Sequence, residues 1–321
     1  MHRMLLTLLM VAFVTGCTVA PASTANPVVT TPPEVRIALL PITDSIPFYV
    51  AQAEGFFRAA GITATAIPVS SAAERGTVVQ TAVADCELTD IHGVILTNAS
   101  PTMSMRIVAT ARQATTDQPL FFLLGAPDGN LTDPTQLAGA NIGISENTII
   151  DYWNDRILAA AGVDATRITR TNVPQLPVRF ELLMNNQLDA AILPDPLATL
   201  GILQGAPILA DDTLRPEIAV SVLACRSDFI AAKPDAVRGL LAGWDRAVAA
   251  INRDPAAYRN ILIQNTRVPE PLQDRYDLPS FPVEQIPTPQ QVADVADWLL
   301  GKGLIEALPD YSTVVDDTFR R

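Results

Sequence analysis

The side chains that could do chemistry in this 321-residue chain are few and poorly assorted for covalent work. Histidine occurs only as His2 and His92, so a nucleophile beyond the first residues has one imidazole to draw on. Lysine is confined to Lys233 and Lys302, which limits Schiff-base chemistry and point-charge anion binding. The cysteines, Cys17, Cys86 and Cys225, show no cysteine–histidine metal spacing, and no glycine loop has the form that cradles phosphate. Neither a metal nor a cofactor is expected. What remains is hydrogen bonding. Acids, amides and hydroxyls stand where apolar runs end: Asp44 and Ser45, then Ser70, then Asn147 and Thr148, then Asp195. Such groups read the polar edges of a bound solute.

The elements that must position them are strand–loop–helix units. Val35, Ile37 and Leu39 alternate with Arg36 and Ala38, the period of a strand, and Pro41 stops it. Asp44 or Ser45 can cap a helix entered at Pro47, with Tyr49, Ala53, Phe57 and Ala60 on one face and Gly61 as its stop. Loops between a strand's carboxyl end and a helix N-terminus are where open α/β sheets take ligands. A second strand over 64–69 leads to Ser70 and Ser71, which open a helix to residue 84. Strands follow over 106–111 and 119–124, and then Gly-Ala-Pro-Asp-Gly-Asn marks a break. A strand over 141–145 enters a helix capped by Thr148, where Ile150, Trp153 and Ile157 share the inner face and Tyr152 is left for the cleft. A helix over 177–185 turns Leu182 and Leu183 inward. The strand over 188–193 ends at Pro194-Asp195-Pro196, where Asp195 is either a turn former or a site residue. A strand over 217–225 and a long helix over 233–252 follow, and Trp298 reads as packing in a later helix.

Hydrophobic residues make up 49% of the chain, ample for a core, and the net charge of -12 gives no basic face for nucleic acid. The first 16 residues read as a signal peptide: a short basic start, then an apolar run over 4–14 too short to span a bilayer. Val14-Thr15-Gly16-Cys17 resembles a lipobox, which makes Cys17 the lipidation site and 17–34, rich in Pro, Ala, Thr and Ser, a flexible tether. An exported compartment permits a disulfide between Cys86 and Cys225, but two buried thiols fit the sequence equally. His92 has the character of a structural histidine with its hydrogen bonds met, and Asp90 is either a helix cap or a pocket residue.

Tyr49, Ala51, Gly55, Phe56, Phe57, Gly61 and Ile62, with the later run L-D-A-A-x-x-x-D-P-L-A over 188–198, carry a resemblance. The chain resembles the solute-binding proteins of ABC importers for alkanesulfonates, taurine, nitrate and thiamine-pyrimidine precursors, riboflavin-binding members included. The resemblance implies an α/β, two-lobed, periplasmic-binding-protein-like clamshell of type II, its lobes joined by two crossover strands. Lobe 1 is expected over 35–124 plus 225–321, and lobe 2 over 125–224. It further implies that Asp195 is delivered to the cleft and that the partner is a membrane permease, with the chain lipid-anchored on the extracytoplasmic face. An enzyme branch near this family makes the thiamine pyrimidine with a lysine, histidines and a cysteine cluster that are missing here, so no catalysis is expected. The candidate loops are acidic, and Phe48 and Tyr152 could stack on a ring, which favours a neutral heteroaromatic vitamin. Riboflavin comes first, then hydroxymethylpyrimidine or another thiamine precursor. The alternatives are an alkanesulfonate, taurine or nitrate receptor, for which Arg75 would be the cation, and a sensor without transport.

Overall fold

The computed structural model describes residues 31–266 and 268–320; the signal peptide and Cys17 fall outside them. Strands β1 (Glu34–Leu39), β2 (Thr63–Pro68), β3 (Cys86–Asp90) and β4 (Met105–Gln113) build one sheet. Strands β5 (Phe121–Gly125), β6 (Asn141–Ile144), β7 (Thr169–Asn172), β8 (Ala190–Pro194) and β9 (Ile208–Asp211) build another, and β10 (Val220–Arg226) returns to the first. The orders are β2-β1-β3-β10-β4 and β7-β6-β8-β5-β9, so the two sheets share one plan. In each, four strands run in one direction, and the strand arriving from the other sheet inserts antiparallel between two of them. This is the two-lobed α/β architecture expected.

The lobe limits differ from those expected. The sequence puts 119–124 in lobe 1 and 217–224 in lobe 2, yet β5 pairs with β8 and β9, and β10 pairs with β3 and β4. The turn residues after Gly125 mark the end of a strand that has already crossed, and a strand belongs to the sheet whose ladder it completes. The passages between sheets are therefore 114–120 and 212–219.

Helices dress both sheets. The first expected helix is broken: α1 (Ile46–Ala53) ends, Gly55 turns at φ 70°, and α2 (Phe56–Ala59) restarts. The break shifts the buried face to Phe48, Val50, Ala51 and Phe57, and leaves Ala53 exposed. Ser71 caps α3 (Ala72–Gln80), Asp90 caps α4 (Ile91–Asn98) and Thr148 caps α5 (Ile149–Ala160), each accepting a backbone N–H of the first turn. Next come α6 (Leu176–Met184), α7 (Leu197–Leu203) and α8 (Ser227–Ala232). The long α9 (Pro234–Arg253) buries Val237, Leu240, Leu241, Trp244 and Val248, at the helical spacing read from the sequence. It lies close on the chain beyond α2: a Cβ at Gly239 would stand 2.6 Å from Ile62 Cγ2.

After α10 (Arg259–Thr266), α11 (Pro289–Gly301) crosses from the first lobe to α5 of the second. Tyr152 Oη donates to Asp294, Arg156 Nη2 donates to Asp294 Oδ1 at 2.9 Å, and Trp298 Nε1 donates to Asp155 Oδ2 at 2.9 Å. Cys86 and Cys225 face each other across β3 and β10 and form a disulfide, which resolves the choice the sequence left open.

Candidate ligand-binding cleft

The carboxyl ends of β1, β3, β6 and β8 point their loops into the space between the lobes. A small chamber of about 70 Å³ lies at the centre, lined from one lobe by Asp44, Arg75 and Asp90 and from the other by Ser145, Thr148 and Arg179. On one side it shares Ile42, Leu176 and Pro194 with a chamber of about 340 Å³ lined by Asp195 and Tyr49. On the other side it shares Arg75, Thr89, Asp90 and Thr148 with a chamber of about 330 Å³ lined also by Asn147.

Most charges at the centre are matched within the protein. Asp44, buried at the end of β1, accepts from Arg112 Nη1 at 2.9 Å and from the Ser221 hydroxyl. Arg75 Nη2 donates to Asp90 Oδ2 at 3.2 Å, while its Nε stands 3.5 Å from Glu87 Oε2. Arg179 differs. It sits on α6 with no exposed surface, and its stem runs across Gly143, where a Cβ would lie 3.2 Å from Arg179 Cγ. Nη1 donates to the Val173 carbonyl at 3.0 Å, whereas among the described residues Nε and Nη2 have no hydrogen-bond partner. Burial alone pulls its pKa down to about 10, so it stays charged near neutrality.

Five of the expected site residues meet in this cleft. Asp44 and Thr148 line the centre, Ser70 and Asp195 the larger side chamber, and Asn147 the other. Asp195 also behaves as a turn former, since its Oδ1 accepts from Thr199 N at 3.0 Å and Oγ1 at 2.7 Å. Three do not reach the cleft. Ser45 is buried and its hydroxyl donates to the Ile42 carbonyl at 2.7 Å, satisfying its own turn. Phe48 is packed in the first lobe's core, its ring 5.2 Å from that of Phe57, because the register of α1 turns it toward α9's side. Tyr152 faces the first lobe's helices, its ring 4.5 Å from His92 and 5.7 Å from Trp298. The stacking expected from Phe48 and Tyr152 is therefore unavailable; Phe121 and Tyr49 are the rings that line the space.

Two further expectations are refined. Asp90 is both cap and cleft residue: its Oδ1 accepts from Gly93 N at 2.8 Å, and its Oδ2 holds Arg75. His92 is buried as expected, yet neither ring nitrogen has a hydrogen-bond partner among the described residues. The sequence reading passed over Arg112, Arg179 and Glu87. A signal for Arg179 existed, because it stands four residues before Leu183 and so shares that residue's inward face.

The family model described as NMT1/THI5 like matches residues 42–258. The chain belongs to this family. That span of the NMT1/THI5-like chain includes both passages between the lobes and the whole of the second sheet. Among curated proteins none matches closely enough to count as a relative. Among solved structures, the ligand-binding component of an ABC-type import system from Staphylococcus aureus, a zinc-bound structure, superposes with a TM-score of 0.75 at 12% identity, covering 90% of this chain and 98% of that one. The periplasmic aliphatic sulphonate-binding protein SsuA from Escherichia coli gives 0.73 at 18% identity, with 90% and 99% covered. The periplasmic nitrate-binding protein NrtA from Synechocystis PCC 6803 gives 0.61 at 16% identity, with 74% and 67% covered. These likenesses establish the periplasmic-binding-protein fold for this NMT1/THI5-like chain.

Proposed function

We propose that this chain is the solute-binding component of an ABC importer, and that its solute carries an oxyanion held by Arg179. The observation that carries the reading is the Arg179 guanidinium, buried at the centre of the cleft with two nitrogens lacking hydrogen-bond partners. A buried cation is normally paired, and a planar guanidinium fits the two oxygens of a sulfonate, carboxylate or nitrate. The N-terminus of α5, at Thr148 and Ile149, faces the same chamber and favours negative charge. The work is capture without covalent chemistry: the lobes close on the solute, and a membrane permease receives it from the closed form. Cys17, lipidated, would keep the receptor at the extracytoplasmic face of the membrane beside that permease.

A neutral vitamin such as riboflavin, or hydroxymethylpyrimidine, is the second reading. It is favoured by the larger side chamber, where Tyr49 offers a ring face and Ser70 and Asp195 offer acceptors.

Thermal-shift and calorimetric titration with an alkanesulfonate, taurine, nitrate, riboflavin, hydroxymethylpyrimidine and thiamine separates the two. An oxyanion is expected to bind, and Arg179→Met to weaken it about 100-fold, close to the ~3 kcal/mol of a strong charged hydrogen bond. The same substitution should leave the unliganded melting temperature unchanged or higher, because it removes an unpaired buried charge. Saturable binding of riboflavin or a pyrimidine, indifferent to Arg179→Met, would establish the second reading instead.

A further inference from the structure

One flank of the cleft is covered by a segment of the first lobe that follows α10. The larger side chamber is lined there by Asn265 and Thr266 of the first lobe and by Asp195 and Leu197 of the second. Beyond it, the turn Glu270–Leu272 lies against α7 of the second lobe. Leu200 of α7 is buried in one apolar cluster with Leu272 and Tyr276. The stretch around Tyr276 is held to its own lobe on both sides. Arg259 Nη1 donates to the Asp274 carbonyl at 2.8 Å, and Nη2 donates to Asp277 Oδ1 at 2.6 Å. Further on, Asn252 Nδ2 donates to the Phe281 carbonyl at 2.8 Å, and Phe281 N donates to Asn252 Oδ1 at 2.9 Å. Tyr276 is thus presented to the second lobe from a braced loop.

The Tyr276 ring is buried, and its Oη lies 2.8 Å from Thr43 Oγ1 in the turn after β1. The Asp195 carboxylate of the second lobe faces the same hydroxyl within hydrogen-bonding reach. A carboxylate only accepts, which sets the direction of the bonds: Thr43 donates to Tyr276, and Tyr276 donates to Asp195. Burial and the Asp195 charge push the phenol's pKa well above its ordinary value, so the proton stays on Tyr276. Asp195 is oriented by its own lobe, since its Oδ1 accepts from the Thr199 amide and hydroxyl. Thr43 is followed by Asp44, which Arg112 and Ser221 hold at the centre of the cleft. The two bonds therefore run from a loop that forms the solute chamber to a strand end of the opposite lobe. A buried hydrogen bond to a charged acceptor is among the stronger single ties a protein makes.

We propose that Tyr276 is a positioning residue for solute capture: its hydroxyl ties Thr43 of the first lobe to Asp195 of the second, and the tie forms as the lobes close. This rests on the reading of the chain as a receptor that closes on its solute, and not on which solute that is. Tyr276 acts through Asp195 and sets how long the chamber stays shut. Without the tie, the lobes part more often on the flank where Tyr49 and Asp195 line the larger chamber, and solute leaves faster.

The test is pulsed electron paramagnetic resonance on the whole protein. Spin labels are carried on p-acetylphenylalanine in place of Glu54 and Gln187, both exposed and one in each lobe, a chemistry that spares the cysteines. In the absence of solute, Tyr276→Phe keeps the ring and removes the tie. It is expected to raise the ratio of the longer to the shorter interlobe distance about tenfold. Asp195→Asn removes the charge from the other lobe while its amide oxygen can still accept from Thr199, and it should act alike. The double variant should go no further than either alone. Identical distance distributions in wild type and Tyr276→Phe overturn the tie, as do effects of the two substitutions that simply add. Stopped-flow tryptophan fluorescence with ethanesulfonate gives the second readout. Tyr276→Phe should release it about tenfold faster with the association rate unchanged, and release at the wild-type rate overturns the tie. If ethanesulfonate does not bind wild type while the distances respond as expected, the oxyanion reading falls and the tie stands.

Discussion

Two buried basic side chains show how much a single residue's surroundings decide. Arg179 keeps its charge in the cleft, whereas His92, between the rings of Tyr152 and Trp298, loses it. Burial pulls the His92 pKa from 6.5 to about 4, and the Asp90 carboxylate, 3.7 Å from Nδ1, resists only in part. A folded pKa below the unfolded one means that the stabilising contribution is complete above pH 6.5 and is lost as pH falls toward 4. The loss amounts to about 3 kcal/mol at most. Asp212, which burial pushes up to about 7, slopes the other way over the same interval, so the wild-type profile is a sum. Urea unfolding across this range should therefore compare wild type with His92→Phe. Wild type is expected to lose stability relative to the variant on acidification, and parallel profiles would show that His92 titrates normally.

At the scale of elements, periodicity located the strands and helices better than it located their partners. The alternation of Val35, Ile37 and Leu39 was enough for β1, since all three are buried. The helical repeat of α9 was equally plain. The expected helix over 47–60 failed because Gly55 interrupts it, and a positive φ there resets which residues face inward. The crossing strands failed in assignment only, because nothing in a strand's own residues names its neighbours. The disulfide shows what that pairing adds. It joins β3 to β10 across 139 residues, at the end of β3 remote from Asp90 and the cleft. Replacing both cysteines by serine should lower unfolding free energy by about 3–5 kcal/mol, the range for closing a long loop. Solute affinity should barely change. Equilibrium unfolding of the variant, and of wild type under reductant, checks this; a variant as stable as wild type would mean the bond adds nothing to the paired strands.

At the scale of the whole molecule, the two passages between lobes are joined by a backbone bond from Ala114 N to the Ala219 carbonyl at 3.1 Å and by one carboxylate. Asp212, at the start of the second passage, accepts from Leu120 N at 2.9 Å and Phe121 N at 3.1 Å at the end of the first. It also accepts from Trp153 Nε1 of α5 at 3.2 Å. Arg112 adds a bond to the Pro119 carbonyl at 2.9 Å while holding Asp44 in the cleft, so hinge and site share a side chain. Asp212→Ala should leave both lobes folded and free the hinge. Above pH 7, where Asp212 is ionised, amide exchange at Leu120 and Phe121 is expected to quicken by about 30-fold, equivalent to ~2 kcal/mol for hydrogen bonds to a charged acceptor. The change should fade with distance from the hinge. Unchanged exchange at these two amides would mean that the Ala114–Ala219 backbone bond and packing hold the passages without Asp212.

The sequence by itself determined the fold class, the order of most elements and the loops that carry Asp44, Ser70, Asn147, Thr148 and Asp195 to the cleft. These follow from local causes: apolar periodicity, caps, and turn residues at strand ends. It also showed how few residues could support covalent chemistry. Only the tertiary structure decided which groups are satisfied before any solute arrives. Asp44, Asp90 and Arg75 look available in the sequence, yet each is already held by a partner from a distant segment. The spacing of Arg179 from Leu183 turns it inward, but nothing local shows that its Nε and Nη2 are left without a hydrogen-bond partner among the described residues. Pairing depends on separations of a few ångströms between residues far apart in the chain, and no local pattern encodes those.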